Sequence, residues 1–365
     1  MHNNKNNKIN QKPLTEELYK KELEALKKND NNNKPKNWVL SPQAVRDFIL
    51  GKELEDITIK RKFYGDDALV ERAIITLSGN RGLMLVGEPG TAKTMLSELL
   101  SAAISGTSII TIQGTAGTNE DNIKYSWNYA TLFAKGPVKE ALIPVYIGME
   151  KGLITRFEEI TRCPLEIQDS LISILSDKIL NIPEQNSILF AKAGFNIIAT
   201  ANTRDKGINE MSSALKRRFN FETVEPIKNP QIEAEIIKNQ CESLFELADI
   251  DITVENDVVE VLATTFNELR SGKSFENAKI QELNSVISTA EAVSVYYQSA
   301  LHSYYYGNKK IEMSTLVSNL IGSVAKENKE DLPKLRNYFN NSIKLKAEKF
   351  GKRWKEYYES RNLIK

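Results

Sequence analysis

Cysteine and histidine are scarce in this 365-residue sequence, which holds two of each. Cys163 and Cys241 are far apart and show no CxxC spacing, so neither a disulfide framework nor a zinc site is expected. His2 and His302 cannot build a metal cluster. Net charge is equally small: 49 lysines and arginines face 48 aspartates and glutamates, leaving +1. That balance removes any general electrostatic pull toward nucleic acid or membrane. No window holds the ~18 apolar residues that a membrane span needs. The opening MHNNKNNKINQKP has no apolar core, so no secretory signal is expected, and a reducing cytoplasm is the expected setting.

What is present is an ordinary globular balance, 41% apolar and 27% charged. The length exceeds the ~250–300 residues at which single cores stop growing, so two domains are expected. Residues 1–36, rich in Asn and Lys, read as a disordered tail around a short helical stretch, LTEELYKKELEALKK. Trp38 to Lys62 is a helical lead-in with Ser41 as N-cap and Pro42 at the first helical position. Strand and helix signals then alternate. Leu83–Val86, Ser108–Ile112, Leu153–Phe157, Asn196–Thr200 and Phe219–Val224 read as strands, and Thr94–Ile104 and Glu166–Leu175 as helices. This alternation predicts an α/β domain with a parallel sheet over residues 37–228. After Pro226 the pattern turns helical, at Pro230–Leu247, Asp257–Leu269 and Ser285–Ala300. A smaller all-helical lid over 229–330 follows, then a basic, aromatic C-terminal helix over 331–365.

The chemistry-bearing motif is Gly87-Glu88-Pro89-Gly90-Thr91-Ala92-Lys93-Thr94. A phosphate cradle needs backbone N–H groups facing inward, a lysine for the β- and γ-phosphates and a hydroxyl next to it for Mg²⁺. Lys93 and Thr94 fill the last two roles. The strand LMLV runs in and the helix TMLSELL runs out, so phosphates would rest on a helix N-terminus. Ala92 stands where the GxxxxGK[ST] pattern has Gly. Downstream, Leu153 to Glu159 is an apolar strand ending in two acids. Glu158 is assigned to the metal and Glu159 to the general base that polarises the attacking water. Arg156 interrupts this strand. The Ile197–Ala201 strand ends at Asn202, placed to orient water at the carboxyl edge of the sheet. The cations Lys216, Arg217 and Arg218 sit just before the last strand, where one can act as an arginine finger on a neighbouring subunit.

These pieces, in this order, resemble the AAA+ ATPases. Phe63-Tyr64-Gly65-Asp66 is similar to that class's adenine-side motif, with Tyr64 and Gly65 as nucleotide contacts. Glu158-Glu159-Ile160-Thr161-Arg162-Cys163-Pro164 is similar to the DEINRAP stretch of the MoxR family, and GEPGTAKT to its P-loop. The resemblance covers residues 60–225. It implies a five-stranded parallel sheet in the AAA+ order, ATP with Mg²⁺, and a ring, usually a hexamer. It implies Arg218 as the trans finger, with Arg217 where the family has Asp, and Arg162 near a subunit boundary. It implies a helix-2 insert at about 115–151, carrying Tyr125, Trp127 and Tyr129. It also implies a protein partner, often one bearing a von Willebrand factor A domain, remodelled or loaded with metal or cofactor. The stretch Gln281–Ala290 lacks the expected lid arginine, and neither Arg270 nor Lys279 is in register for it. The expected function is ATP-driven remodelling of a protein. A nucleotide-dependent scaffold with little hydrolysis is the alternative. A nucleic-acid motor has only the basic C-terminus, Lys344–Lys365, in its favour.

Overall fold

The structure is a computed structural model describing residues 12–120, 144–182, 186–202, 210–274, 278–326 and 329–365. The chain divides into two compact units, the first running to Gly87 and over Ala92–Val224, the second comprising Glu88–Thr91 and Glu225–Lys365. The first is built on a five-stranded sheet of β1 (Gly82–Gly87), β2 (Thr111–Gln113), β3 (Ile154–Glu158), β4 (Asn196–Asn202) and β5 (Phe219–Val224). Their order is β2-β3-β4-β1-β5, with every pair parallel. This is the parallel sheet that the alternating pattern predicts. β1 and β4 are near-continuous apolar runs because parallel strands are covered on both faces. Leu83 and Leu85 enter one core with Ile154 and Ile198, and Met84 enters the other with Phe157, Ile197 and Ala199. The expected strand at Ser108–Ile112 is confined to Thr111–Gln113.

Helices Pro42–Leu50, Asp67–Ser78 and Lys93–Ser105 cover one face. Ser41 caps the first, accepting from the Ala44 N–H at 3.2 Å, with Pro42 at the first helical position. On the other face, the single helix expected at Glu166–Leu175 is split into Leu165–Asp169 and Leu171–Ser176. At the break the Ser170 hydroxyl donates to the Ile167 carbonyl at 2.8 Å, competing with the helix ladder. Of the expected 115–151 insert, Pro144–Lys151 is helical. Tyr125, Trp127 and Tyr129 lie outside the described residues.

The tail expected to be disordered over 1–36 is corrected by the structure. Residues 1–11 lie outside the described residues, but Thr15–Leu18 and Lys20–Asn29 are helical. Leu26 is buried against the first core. The Glu16 carboxylate accepts from the Ser108 N–H and hydroxyl, the latter at 2.7 Å. Glu22 accepts from Lys62 Nζ at 2.5 Å, and that ammonium lies 4.3 Å from the Phe48 ring centroid. Asparagine-rich composition predicts disorder only where no apolar stripe finds a core. Here Tyr19, Leu23 and Leu26, spaced at helical intervals, find one.

The second unit is helical: Pro230–Leu247, Asn256–Ser271, Thr289–Tyr306 and Met313–Ala325, then shorter pieces. The C-terminal region is not the single helix expected over 331–365. It runs as Asp331–Tyr338, a π-helical turn Phe339–Ile343, Lys344–Lys349, Lys352–Glu359 and a last turn Ser360–Leu363. Gly351, at a φ of 94°, separates the last two α-helices. Tyr338, Phe339, Ile343, Trp354, Tyr357 and Ile364 are buried in the lid core. Part of the basic character is consumed internally. Lys346, 2% exposed, donates to buried Glu268 at 2.7 Å, and Arg353 pairs with Asp257 at 2.8 Å.

Lys178 closes the turn into strand Ile179–Ile182. Its Nζ is buried with no hydrogen-bond partner among the described residues, 5.6 Å from the Phe195 ring centroid. Burial pulls this ammonium down to about 8 from 10.5. Between those values the unfolded chain holds the proton and the folded one does not, so this group's cost to stability fades as pH rises through that window. Lys178→Met is therefore expected to stabilise the protein at pH 7 by about 2 kcal/mol and to confer little at pH 10.5 and above. Denaturant titrations at both pH values check this, and an equal gain at both would mean that lost flexibility, not charge, is responsible.

Candidate functional site

The loop between β1 and helix Lys93–Ser105 is built by its backbone. Gly90 has φ 76°, and Ala92, the residue before the helix, has φ 68° and ψ 21°. The left-handed turn at Ala92 carries the chain from the loop into the helix, whose first N–H groups have no partner within the helix itself. The Thr91 hydroxyl donates to the Glu88 carbonyl at 2.9 Å, closing the tip that contains Pro89. Lys93 is 7% exposed, and its ammonium donates to the Gly87 carbonyl at 3.1 Å. That buried cation is folded back over the loop it would serve.

Thr94 points at the acids of β3. Its hydroxyl donates to Glu158 Oε2 at 3.0 Å. The same carboxylate accepts from Thr200 at 2.8 Å, from Ser97 at 2.7 Å and from Arg156 at 2.8 Å. Glu158 is thus held at the C-terminal end of β3, beside Gln113 of β2. The next residue, Glu159, leaves the strand in the left-handed region, φ 54° and ψ 43°, with its N–H donating to Thr200 Oγ1 at 3.0 Å. That turn separates the two carboxylates. Glu158 goes to Thr94, while Glu159 pairs with Arg162 at 2.8 Å. Gly114 lies against this bend, where a Cβ would meet the Glu159 carbonyl oxygen at 2.4 Å. Only glycine lets β2 approach the acids so closely.

Sheet register delivers the third predicted residue. Asn202 ends β4 directly beside Gly87, the first residue of the loop. Thr203 and Arg204 lie outside the described residues. Arg218 precedes β5 and is held against the preceding helices, its Nε donating to Ser176 Oγ at 2.8 Å and its Nη1 to the Ala214 carbonyl at 2.7 Å. Tyr64 and Gly65 lie on the approach to helix Asp67–Ser78, with the Arg61 guanidinium 5.7 Å from the Tyr64 ring centroid. In the second unit, Arg270 is committed to Glu233, contacting both carboxylate oxygens at 3.1 and 2.6 Å. Its place outside the lid-arginine register is matched by a structural role.

The described donors suit a magnesium–phosphate ligand. A hydroxyl and a carboxylate are hard oxygen ligands, and Mg²⁺ takes one or two of these with water and phosphate oxygens. Thr94 with Glu158 would hold the metal side, and Lys93 with the loop N–H groups the phosphates. Sequence reasoning missed Ser97 and Thr200 as partners of Glu158. Ser97 follows Thr94 by three residues, one helical turn on the same face, and Thr200 precedes Asn202 by two on the same strand face. Those spacings were the available signal.

Ala92 carries a testable cost. An L-residue in the left-handed region loses about 1–2 kcal/mol, part of which glycine returns through unfolded-chain entropy. Ala92→Gly is expected to raise stability by about 0.5–1 kcal/mol. Equilibrium unfolding checks it, and a loss instead would show that the Ala92 methyl packs favourably.

Comparison with known proteins agrees with this geometry. Residues 82–219 match the family "AAA domain (dynein-related subfamily)", and residues 231–365 match "YehL-like AAA+ ATPase C-terminal domain". The chain is 47% identical over 359 residues to the uncharacterised protein YehL of Escherichia coli (strain K12), covering 97% of this chain and 98% of that one. It is 27% identical over 201 residues to the uncharacterised protein YojN of Bacillus subtilis, covering 53% of this chain and 64% of that one. It is 26% identical over 180 residues to the chaperone MoxR1 of Mycobacterium tuberculosis, covering 49% of this chain and 45% of that one. Among the described residues no helix is long and apolar enough to cross a membrane. With a P-loop on a five-stranded AAA+ sheet and a near full-length match to YehL, the chain belongs to the YehL-like, MoxR-type AAA+ ATPases.

Proposed function

We propose that this protein binds ATP with Mg²⁺ at the Gly87–Thr94 loop and hydrolyses it, within a ring of its own copies, to remodel a protein partner. The observation that carries the reading is the Thr94 hydroxyl 3.0 Å from the Glu158 carboxylate, next to the buried ammonium of Lys93. A hydroxyl, a carboxylate and a lysine at one helix N-terminus are what a metal-bound triphosphate needs. Lys93 neutralises the β- and γ-phosphates, and Thr94 takes the metal with Glu158 behind it. Glu159 accepts the proton of the attacking water, released from Arg162, while Asn202 orients that water. Arg218 serves the site of the neighbouring subunit. Similarity to the chaperone MoxR1 supports remodelling as the output. A hexameric ring, a partner with a von Willebrand factor A domain and loading of metal or cofactor follow from the MoxR resemblance alone.

A second reading, a nucleotide-driven scaffold with little turnover, draws on Arg270. Its bond to Glu233 commits this lid cation to a buried structural pair.

Phosphate release measured against protein concentration, with mass photometry alongside, separates the two. For the ring ATPase, turnover per subunit rises with assembly. Glu159→Gln lowers it by at least about 100-fold while ATP stays bound, and Arg218→Ala lowers it without loss of assembly. Full turnover by Glu159→Gln would refute the assignment of the base. Assembly on ATP without phosphate release, with or without a partner, would select the scaffold.

A further inference from the structure

Strand β3 carries a full charge where its position in the sheet calls for an apolar side chain. Arg156 precedes Glu158 by two residues, so both side chains leave the same face, toward helix Lys93–Ser105. Arg156 is 5% exposed. Its Nε donates to Ser97 Oγ at 2.9 Å and its Nη1 to the Ser108 carbonyl at 2.8 Å. Its Nη2 donates to Glu158 Oε1 at 2.8 Å and reaches Glu98 Oε1 at 3.5 Å. Because Ser97 also donates to Glu158 Oε1 at 2.7 Å, guanidinium, hydroxyl and carboxylate close a small cycle.

Glu158 is thereby engaged on both oxygens. Oε1 takes Arg156 and shares the Ser97 hydroxyl, which also reaches the Thr94 carbonyl at 2.8 Å, and Oε2 takes Thr94 and Thr200. The attraction of this carboxylate for a divalent cation is opposed by the guanidinium 2.8 Å from it. Thr94 retains a role in either case, since its O–H can stay hydrogen-bonded to Glu158 while its oxygen lone pairs face a metal.

We infer that Arg156 is a positioning residue and counter-charge that weakens the hold of Glu158 on a divalent cation in the absence of nucleotide. This builds on the nucleotide reading of the loop.

The test is Mn²⁺ binding to the full chain, read by electron paramagnetic resonance, with and without ADP. Among the described residues no group of three or more His, Cys, Asp and Glu is placed to hold a metal and confuse the signal. Wild type is expected to bind Mn²⁺ at least about 100-fold more tightly with ADP than without. Arg156→Gln keeps an amide donor for Glu158 and removes the charge. It is expected to bind Mn²⁺ about tenfold more tightly than wild type without nucleotide, while Arg156→Lys stays near wild type. Unchanged Mn²⁺ affinity in a folded Arg156→Gln would overturn the inference and leave Arg156 a packing residue. Should that variant fail to fold, Arg156→Met is read in the same way: tighter nucleotide-free Mn²⁺ binding than wild type supports the inference, and unchanged affinity overturns it. Fluorescent-ADP titration in the presence of Mg²⁺ is read separately. No nucleotide binding there would sink the proposed function, with the nucleotide-free Mn²⁺ comparison still deciding the role of Arg156.

Discussion

A buried carboxylate with four donors organises the first unit. Glu158 is 5% exposed at the end of β3, and its partners come from helix Lys93–Ser105, from β4 and from its own strand. Such a charge is tolerable only if fully hydrogen-bonded and paired, because an uncompensated ion in a low-dielectric interior costs several kcal/mol. Satisfying it fixes the rotation of the helix, the register of β3 against β4 and the direction of the Thr94 hydroxyl together. The loop before the helix inherits that precision, since Lys93 and Thr94 are the helix's first two residues.

Two non-glycine residues in the left-handed region border this carboxylate: Ala92 before the helix and Glu159 after β3. Each conformation costs of order 1–3 kcal/mol and persists only where the surroundings over-determine it. At Ala92 the result is the turn from the loop into the helix. At Glu159 it turns two adjacent acids in different directions, so that one meets Thr94 and the other stands next to Arg162. Divergent neighbouring carboxylates allow two roles that a regular strand, alternating its faces, would not arrange around one phosphate.

The lid uses the same physics for a different end. Glu233, fully buried, is held by Arg270 and Thr289, and Glu268 by Lys346 and Tyr338. These pairs join residues 37 to 78 positions apart. They tie the C-terminal helices into the lid core and commit cations that would otherwise be available to a ligand. A fully satisfied polar pair in an apolar core disfavours alternative packings, in which one partner would be left unpaired.

Much of the nucleotide unit was legible in the residues. A near-continuous apolar run followed by a Gly-rich loop and a helix is a local pattern, and its spacing alone puts Lys93 and Thr94 at a helix start. The acids after an apolar strand, and Asn202 at a strand end, follow from the rule that ligands gather at the carboxyl edge of a parallel sheet. Tertiary structure alone decided the partners of polar groups. Arg156 reads as an interruption of a strand until Ser97, Glu98 and Glu158 surround it. Asn-rich residues 12–36 read as tail until Glu16 meets Ser108, 92 positions away. The basic C-terminus reads as a solvated face until Lys346 meets Glu268. Periodicity reports which face of an element is apolar, because that depends on near neighbours in sequence. Which distant group neutralises a charge depends on the closed fold, where positions remote in sequence come within hydrogen-bonding distance.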